Sequence, residues 1–223
     1  MSKADPLHPG GEPHRLSRAS VHRFSLYLRH LERLQQDGAQ KVSSSQLGAA
    51  LGINDAQVRK DLAYLGNLGQ PGIGYLIPDL VAALRRRLGI DRPWPAVVVG
   101  VGNLARALLR YRGFQRQGFT FVGLFDSDPR KIGQQLDGLQ IHPLERIAEV
   151  IHATNAELAV LAVPAAAAQA VADTLVTAGI RGILNFAPTV LRLPASISLV
   201  SVDLAVQLEQ LAFLVHLGQD AAS

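Results

Sequence analysis

The chain has 223 residues, with 22 lysines and arginines against 18 aspartates and glutamates, a formal net charge of +4 and a sequence pI near 9.8. The absence of cysteine excludes disulfides, thiolate catalysis, iron–sulfur clusters and cysteine-type zinc sites. No apolar run is long enough to cross a bilayer and no signal-peptide pattern begins the chain, so we expect a soluble cytoplasmic protein without membrane contact.

The positive charge lies in the first part of the chain. Residues 1–92 carry 13 basic and 8 acidic side chains, whereas residues 93–223 carry 9 and 10. This asymmetry is typical of a nucleic-acid-binding segment joined to a second domain.

After a tail at residues 1–15, which we predict to be disordered, three helices follow in quick succession. The first begins near Ser17 or Ser20 and ends at Gly38. Ser43 and Gln46 have the spacing of a capping box before a short helix over 44–51. A third helix is predicted over 56–65, and this layout is that of a helix-turn-helix.

The third helix leaves Gln57, Arg59, Lys60 and Tyr64 on its outer faces. Adjacent basic residues on a helix are often only a solvated face, but on the second helix of a helix-turn-helix they favour DNA contact. Asp61 opposes such contact unless it pairs with an arginine.

The segment 66–77 has four glycines and a proline among apolar residues, which predicts a β-hairpin and hence a winged helix. A fourth helix over 79–88 carries Arg85, Arg86 and Arg87, and we expect these to meet phosphate or an acidic neighbouring domain.

From residue 93 onward, short β-branched runs alternate with helical stretches, which predicts βαβ units and a parallel sheet. The predicted strands cover 96–100, 120–125, 158–163, 182–184 and 197–201. The predicted helices cover 103–111, 143–152, 165–178 and 203–217.

A dinucleotide-binding motif lies at the first of these strands. Gly100, Gly102 and Ala105 form Gly-x-Gly-x-x-Ala between a strand and a helix, and Asp126 follows the next strand. A carboxylate there binds both ribose hydroxyls and repels a 2′-phosphate, which favours NAD(H) over NADP(H). The nearby Arg130 weakens that inference.

The second domain lacks the residues expected of a hydride-transfer enzyme. Lys131 and Tyr111 are its only lysine and tyrosine and do not form a Tyr-x-x-x-Lys pair, while His142 and His152 are interpreted as surface residues. We therefore predict a dinucleotide-binding protein that is not an enzyme, and we predict no metal site.

Four segments together resemble the redox-sensing transcriptional repressor family Rex. They are 56–62, the hairpin 69–75, the glycine motif 100–107 and Asn185 to Pro188, in the same order and spacing over about residues 16–217. The resemblance implies a homodimer that binds a palindromic operator in double-stranded DNA and is released when NADH binds, with NAD+ as a weaker competitor.

Residue roles follow from these motifs and this resemblance. The predicted cofactor-binding residues are Gly100, Val101, Gly102, Asn103, Leu104, Ala105 and Asp126, with Val163, Pro164, Asn185, Phe186, Ala187 and Pro188 expected near the nicotinamide. The predicted DNA-binding residues are Ser44, Ser45, Gln57, Arg59, Lys60, Tyr64, Gly72 and Gly74. The resemblance implies that Tyr111 and Asp203, which precedes Leu204, meet across the dimer, with Arg29 competing for Asp203.

The predicted fold class is α/β, with a winged helix-turn-helix domain at 16–92 and a Rossmann-like parallel-sheet domain at 93–202. The C-terminal helix at 203–217 has an apolar stripe. Its residues allow two interpretations, a last Rossmann helix covering the sheet or a dimerisation helix; the resemblance implies a helix exchanged between subunits.

Two positions depart from the family pattern. Ala105 replaces the usual third glycine, which we expect to be tolerated because only helix–strand packing is at stake. Gln70 stands where many relatives have a basic residue in the wing, so a phosphate contact is expected to be missing.

Three other functions compete with a redox-sensing repressor. An NAD-dependent dehydrogenase with a basic extension would oxidise NADH with a small carbonyl substrate. A DNA-binding regulator could sense coenzyme A or another ADP-containing metabolite, and a nucleotide titration would separate it. A nonspecific nucleoid protein fits poorly with the modest charge of the basic part.

Overall fold

The computed structural model describes residues 16–70 and 72–220, without the side chains of 218–220. The predicted tail at 1–15 lies outside the described residues. The chain divides between Asp91 and Arg92 into two compact units. In the described part of the chain, no helix is long and apolar enough to cross a membrane.

The first unit is a helix-turn-helix with a small antiparallel sheet. Its helices are α1 (Arg18–Gln36), α2 (Ser44–Leu51), α3 (Asp55–Ala63) and α4 (Ile77–Leu88). Its strands are β1 (Lys41–Val42), β2 (Gly69–Gln70) and β3 (Gly74–Leu76), in the order β1-β3-β2.

Local side chains set the ends of these helices. Ser17 caps α1, Ser43 forms the predicted capping box with Gln46 at α2, and Asn54 caps α3. Gly52 ends α2 in the left-handed conformation. The apolar faces then meet in one core made of Phe24, Tyr27, Leu28, Leu31, Val42, Leu47, Val58, Leu62, Ile77, Leu80 and Leu84.

The second unit contains a seven-stranded sheet in the order β10-β9-β8-β4-β5-β7-β6, in which every neighbouring pair is parallel except β6 and β7. The strands are β4 (Trp94–Val99), β5 (Phe119–Phe125), β6 (Gln135–Leu136), β7 (Leu139–His142), β8 (Leu158–Leu161), β9 (Gly182–Asn185) and β10 (Ser198–Ser201). Taken without β6, this is the 3-2-1-4-5-6 order of dinucleotide-binding sheets.

The helices of this unit are α5 (Asn103–Arg110), α6 (Gly113–Arg116), α7 (Ile147–Thr154), α8 (Ala165–Thr177) and α9 (Leu204–Asp220). Helices α7 and α8 share an apolar core with one face of the sheet. Ala105 of α5 packs with Val98 and Leu124 on the other face. This is the helix–strand packing role expected for the third position of the glycine motif.

Helix α9 does not cover the sheet of its own unit. Every described side chain from 204 to 217 is exposed, including Leu204 at 62%, Leu208 at 66% and Phe213 at 60%. The interpretation of this segment as a last Rossmann helix packed on the sheet is therefore wrong.

Several elements differ from the sequence expectations. The strand β1, the hairpin of β6 and β7 and the short helix α6 were not predicted, since two to four residues carry too little periodicity to be recognised. The predicted helix over 143–152 begins instead as a 3-10 turn, Leu144–Arg146, before α7. Val21, whose spacing along α1 matches that of the buried Phe24 and Leu28, is 41% exposed.

Candidate functional site

A cavity of about 290 Å³ opens at the carboxyl edge of the sheet, where β4, β5 and β8 end. Its lining residues are Val99, Gly100, Gly102, Asp126, Ser127, Lys131, Leu144, Ala162, Val163, Pro164, Ala167 and Val171. This edge is where parallel α/β sheets bind ligands.

The two glycines of the motif have different reasons for lacking a side chain. Gly100 has φ +91°, and a Cβ there would lie 2.3 Å from the carbonyl oxygen of Ala162. Gly102 is the N-cap of α5, and a Cβ there would meet nothing within 4 Å. Gly100 is therefore required by the fold, whereas Gly102 leaves open space beside the exposed N–H groups that begin α5.

Asp126 lies directly after β5 and is only 7% exposed. Its Oδ2 accepts hydrogen bonds from the backbone N–H of Val101 at 2.8 Å and from Lys131 Nζ at 2.8 Å, and its Oδ1 accepts one from the N–H of Asp128 at 2.9 Å. Burial alone would raise the pKa of Asp126, but the hydrogen bonds from Lys131, Asp128 and Val101 outweigh it and lower the pKa below its ordinary value. Asp126 is thus a buried anion that braces the glycine loop.

The cation beside Asp126 is Lys131, which was not among the predicted site residues. Arg130, the residue expected to weaken the preference for NAD(H), instead pairs with Asp128 at 3.0 Å, and its side chain is 89% exposed. The available signal was that Lys131 is the only lysine of the second domain and follows Asp126 by five residues.

The other predicted cofactor residues are only partly brought together. Val163 and Pro164 line the cavity with Gly100, Gly102 and Asp126. Asn103 and Leu104 are exposed at the start of α5, and Val101 is buried behind the loop.

The segment after β9 folds on itself beside the neighbouring strand β8. The buried Asn185 donates from Nδ2 to the carbonyl oxygens of Ala187 and Thr189, both at 3.1 Å, and its Oδ1 accepts from the N–H of Ala187 at 2.9 Å. Phe186 packs with the α5 side of the core, and Pro188 is exposed. None of Asn185, Phe186, Ala187 and Pro188 lines the described cavity.

The predicted switch residues are exposed. Tyr111 is 58% exposed at the end of α5 and contacts Phe114 edge to face at 5.2 Å. Asp203 Oδ1 accepts from the N–H groups of Ala205 at 2.9 Å and Val206 at 3.3 Å, so it caps α9. Arg29 is exposed on α1.

In the first unit, the exposed face of α3 presents the predicted DNA-binding side chains. Gly48 allows α2 to approach the turn closely, because a Cβ there would lie 2.4 Å from the carbonyl oxygen of Ile53. Lys60 and Tyr64 are exposed, and Arg59 donates to Asp55 at 2.7 Å and to Ser44 Oγ at 3.3 Å. Ser45 is also exposed, at the start of α2.

Gln57 departs from the predicted outward position. It is half-buried and donates from Nε2 to Asp61 Oδ1 at 2.7 Å. Asp61 is 1% exposed and also accepts two hydrogen bonds from Arg23 and one from Tyr27. The arginine that pairs with Asp61 thus comes from α1.

This network shifts the pKa of its members. Burial would raise the pKa of Asp61, but the hydrogen bonds from Arg23, Tyr27 and Gln57 lower it overall. Burial and the hydrogen bond to Asp61 raise the pKa of Tyr27, so both groups keep their ordinary charge at neutral pH.

The wing is the turn between β2 and β3. Gly74, at φ +88°, lies so close to β1 that a Cβ would be 2.6 Å from the carbonyl oxygen of Val42. Gly72 and Gln70 are exposed.

In the basic run of α4, Arg85 donates to Glu32 at 2.8 Å. Because Glu32 belongs to the same unit, the expectation that Arg85 meets phosphate or an acidic neighbouring domain is wrong. The described residues contain no cluster of three or more potential metal ligands.

Two family models match the chain. The model described as "CoA binding domain" matches residues 91–189, and the model described as "Putative DNA-binding protein N-terminus" matches residues 15–63.

Curated relatives match nearly the whole chain. A redox-sensing transcriptional repressor Rex from Carboxydothermus hydrogenoformans is 46% identical over 91% of this chain and 97% of its own length. A repressor of the same name from Pelotomaculum thermopropionicum is 47% identical over 87% of this chain and 92% of its own length.

Two solved structures are similar over their full fold. The crystal structure of RSP in complex with β-NAD+ and operator DNA is 32% identical, with a TM-score of 0.87 over 92% of this chain and 94% of that chain. The crystal structure of RSP in complex with β-NADH is 30% identical, with a TM-score of 0.83 over 92% of this chain and 96% of that chain.

Proposed function

This chain belongs to the Rex family of redox-sensing transcriptional repressors, and on that basis we propose that it binds operator DNA and leaves it when NADH binds the second unit. It is a regulator and not an enzyme, as its named relatives are repressors. The observation that carries the proposal is the match of both units, in one chain, to repressors along almost their whole length.

We propose that α3 is the recognition helix. Its exposed Arg59 and Lys60 are placed to reach base edges or phosphates, with Tyr64, Ser44 and Ser45 beside them. Arg59 exchanges Asp55 and Ser44 for DNA acceptors on binding, since those two partners are exposed or half-buried and accessible to water. The wing, with Gly72 and Gly74, contacts the sugar-phosphate backbone of the DNA beside the site that α3 reads.

We propose that the dinucleotide lies across the cavity at the carboxyl edge of the sheet, with its pyrophosphate at the N-terminus of α5 beside Gly102. Reduced nicotinamide is neutral and oxidised nicotinamide is a cation, so the apolar wall of Val163 and Pro164 favours NADH. Because α9 stands away from its own sheet, Leu204 of a second copy of the chain completes that wall, and Leu204→Asp is expected to reduce the NADH preference. An unchanged ratio of NADH to NAD+ affinity in fluorescence titrations would sink this assignment.

A ligand moves an equilibrium only by its differential affinity for the two states. NADH must therefore bind more tightly to the form that does not bind DNA, and DNA must weaken NADH binding by the same factor. We propose that Tyr111, Asp203 and Arg29 exchange contacts in this transition, since all three side chains are exposed and accessible to a second subunit.

We propose that the repressor is a homodimer in which α9 of each copy packs on the other. Two observations support this: α9 exposes eight large apolar side chains, and an apolar groove of about 350 Å³ lies open on the sheet of the same unit. Soluble monomers rarely expose so large an apolar surface.

Sedimentation velocity tests the dimer. Leu208→Asp places a charge in the apolar stripe and is expected to yield monomers, whereas Gln210→Glu, a charge at a polar position of the same helix, leaves the dimer intact. A monomeric wild type, or a dimeric Leu208→Asp variant, would contradict the proposal.

The function is tested by fluorescence anisotropy on labelled operator DNA of a Rex relative, with NADH, NAD+ and coenzyme A titrated in parallel. We expect release by NADH at concentrations where NAD+ does little. Release by coenzyme A alone would favour the ligand named by the matched domain model. Binding that is indifferent to all three would contradict redox sensing.

A variant pair separates the two units. Arg59→Ala with Lys60→Ala is expected to weaken DNA binding about tenfold to a hundredfold per contact while NADH binding persists. Arg192→Ala removes an exposed cation of the second unit, so it is the matched control and leaves DNA binding unchanged.

Because a repressor acts on the chromosome, we propose a cytoplasmic location.

A further inference from the structure

The acceptors of Asp126 are nearly all occupied within the protein. Each carboxylate oxygen accepts about two hydrogen bonds. Oδ2 already accepts from Val101 N–H and Lys131 Nζ, and Oδ1 accepts from Asp128 N–H. Among the described contacts, one acceptor position remains on Oδ1, so in this arrangement Asp126 has room for one of the two hydroxyls of an adenosine ribose.

Lys131 has N–H donors available for a ligand hydroxyl, next to the one acceptor position that remains on Asp126. An ammonium group has three N–H donors, and the described contacts of Lys131 Nζ use one, on Asp126. The side chain is 31% exposed and lines the cavity together with Gly100, Gly102 and Asp126. A donor and an acceptor therefore lie side by side at one end of the cavity.

We propose that Lys131 is a specificity-determining residue of the dinucleotide site, donating from Nζ to an adenosine ribose hydroxyl that in turn donates to Asp126 Oδ1. This inference rests on the proposed binding of NADH to the cavity. A hydroxyl is both donor and acceptor, so it matches the pair, whereas a hydrogen in its place leaves the ammonium and the carboxylate without that partner.

The pair also explains how a buried carboxylate remains charged without an adenosine ligand. Burial raises the pKa of Asp126, and the hydrogen bond from Lys131 is the largest of the contacts that lower the pKa below its ordinary value. Arg130, the adjacent residue, is held on Asp128 and is absent from the cavity lining. Substitution of Lys131 therefore tests the proposal, and the same substitution of the adjacent Arg130 is its control.

The experiment measures NADH binding by its fluorescence on the full-length protein, together with two analogues lacking the 2′- or the 3′-hydroxyl of the adenosine ribose. In the wild type, we expect one analogue to bind about tenfold more weakly than NADH, as a charge-assisted hydrogen bond is lost. In Lys131→Met, we expect NADH binding to weaken and the discrimination against that analogue to fall to about threefold, because the hydroxyl then keeps only its hydrogen bond to Asp126.

Lys131→Arg keeps a cationic donor and is expected to restore the discrimination, and Arg130→Met leaves it as in the wild type. If Lys131→Met fails to fold, Lys131→Gln, which keeps an N–H donor without the charge, takes its place with a partly reduced discrimination expected. Circular dichroism checks the fold of each variant.

Three results would overturn the proposal. Lys131→Met could weaken NADH and both analogues by one common factor, which a purely structural role predicts. It could leave all affinities unchanged, or Arg130→Met could produce the same loss. A wild type that binds no NADH would instead overturn the proposed function, and with it this inference.

Discussion

Among the described residues, each of the two compact units buries one aspartate, and the surroundings of the two side chains differ. Asp61 is 1% exposed and accepts four hydrogen bonds, two from Arg23 and one each from Tyr27 and Gln57. Asp126 is 7% exposed and accepts three, from Val101, Asp128 and Lys131.

The difference lies in what remains for a ligand. All acceptor positions of Asp61 are filled by α1 and α3 of its own unit, so it holds two helices together and fixes the tilt of α3. Asp126 has one acceptor left and faces a cavity, so the same residue type, also buried, remains available to a ligand. Burial and a lowered pKa do not distinguish a structural carboxylate from one available to a ligand, because Asp61 and Asp126 share both properties. The number of hydrogen-bond partners within the protein does distinguish them.

The largest expected effect comes from breaking the closed network. Asp61→Ala leaves Arg23 partly buried and unpaired, and we expect it to destabilise the first unit by about 3 kcal/mol. Hydrogen exchange of the α1 and α3 amides measures this unit by itself.

Two variants serve as controls for this prediction. Asp55→Ala removes only an exposed pair with Arg59 and is expected to change exchange far less. Asp126→Ala is expected to weaken NADH binding while leaving α1 and α3 as protected as in the wild type. Unchanged protection in Asp61→Ala would contradict the structural role of that carboxylate.

The second prediction sharpens the comparison at the cavity. Gly100→Ala places a Cβ against the carbonyl oxygen of Ala162 at a positive φ, and we expect a loss of about 3 kcal/mol in the stability of the second unit. Gly102→Ala meets nothing within 4 Å, so it should keep the fold and lower the NADH affinity only.

Thermal unfolding followed by the fluorescence of Trp94, the single tryptophan, reports on the second unit, and NADH titration reports on the site. Equal destabilisation by both alanines would show that Gly102 is a folding residue and not a binding one.

The smallest expected effect is the acid dependence that the two carboxylates share. Their folded-state pKa values lie below the ordinary value of 3.8. Each contribution to stability is thus fully present above the unfolded-state pKa and is lost as the pH falls through the folded-state pKa.

Unfolding free energies measured between about pH 5 and pH 2 should fall less steeply for Asp61→Asn than for the wild type, because the variant has no carboxyl to protonate there. Identical slopes in the two proteins would show that the pKa of Asp61 is not lowered by folding.

Much of the fold could be predicted because it rests on patterns within a few residues. Ser43 and Gln46 meet across one turn of helix, and the spacing of Val58 and Leu62 places them on one buried face. A dinucleotide loop needs three features within six consecutive positions: a tight turn at Gly100, open space for the ligand beside Gly102 and helix–strand packing at Ala105. The two-residue strand β1 was missed because pairing with β3, more than thirty residues away, is what makes it a strand.

The sequence by itself determined the helix-turn-helix, the wing, the order of strands and helices in the second unit and the position of the glycine motif, since local periodicity and turn chemistry decide these. The tertiary structure alone decided that Asp61 pairs with Arg23, that Lys131 and not Arg130 lies on Asp126, and that α9 stands away from its own sheet. The pairing of Asp61 with Arg23 and the position of α9 depend on how distant parts of the chain pack, and the choice between the adjacent Arg130 and Lys131 depends on how the loop after β5 folds.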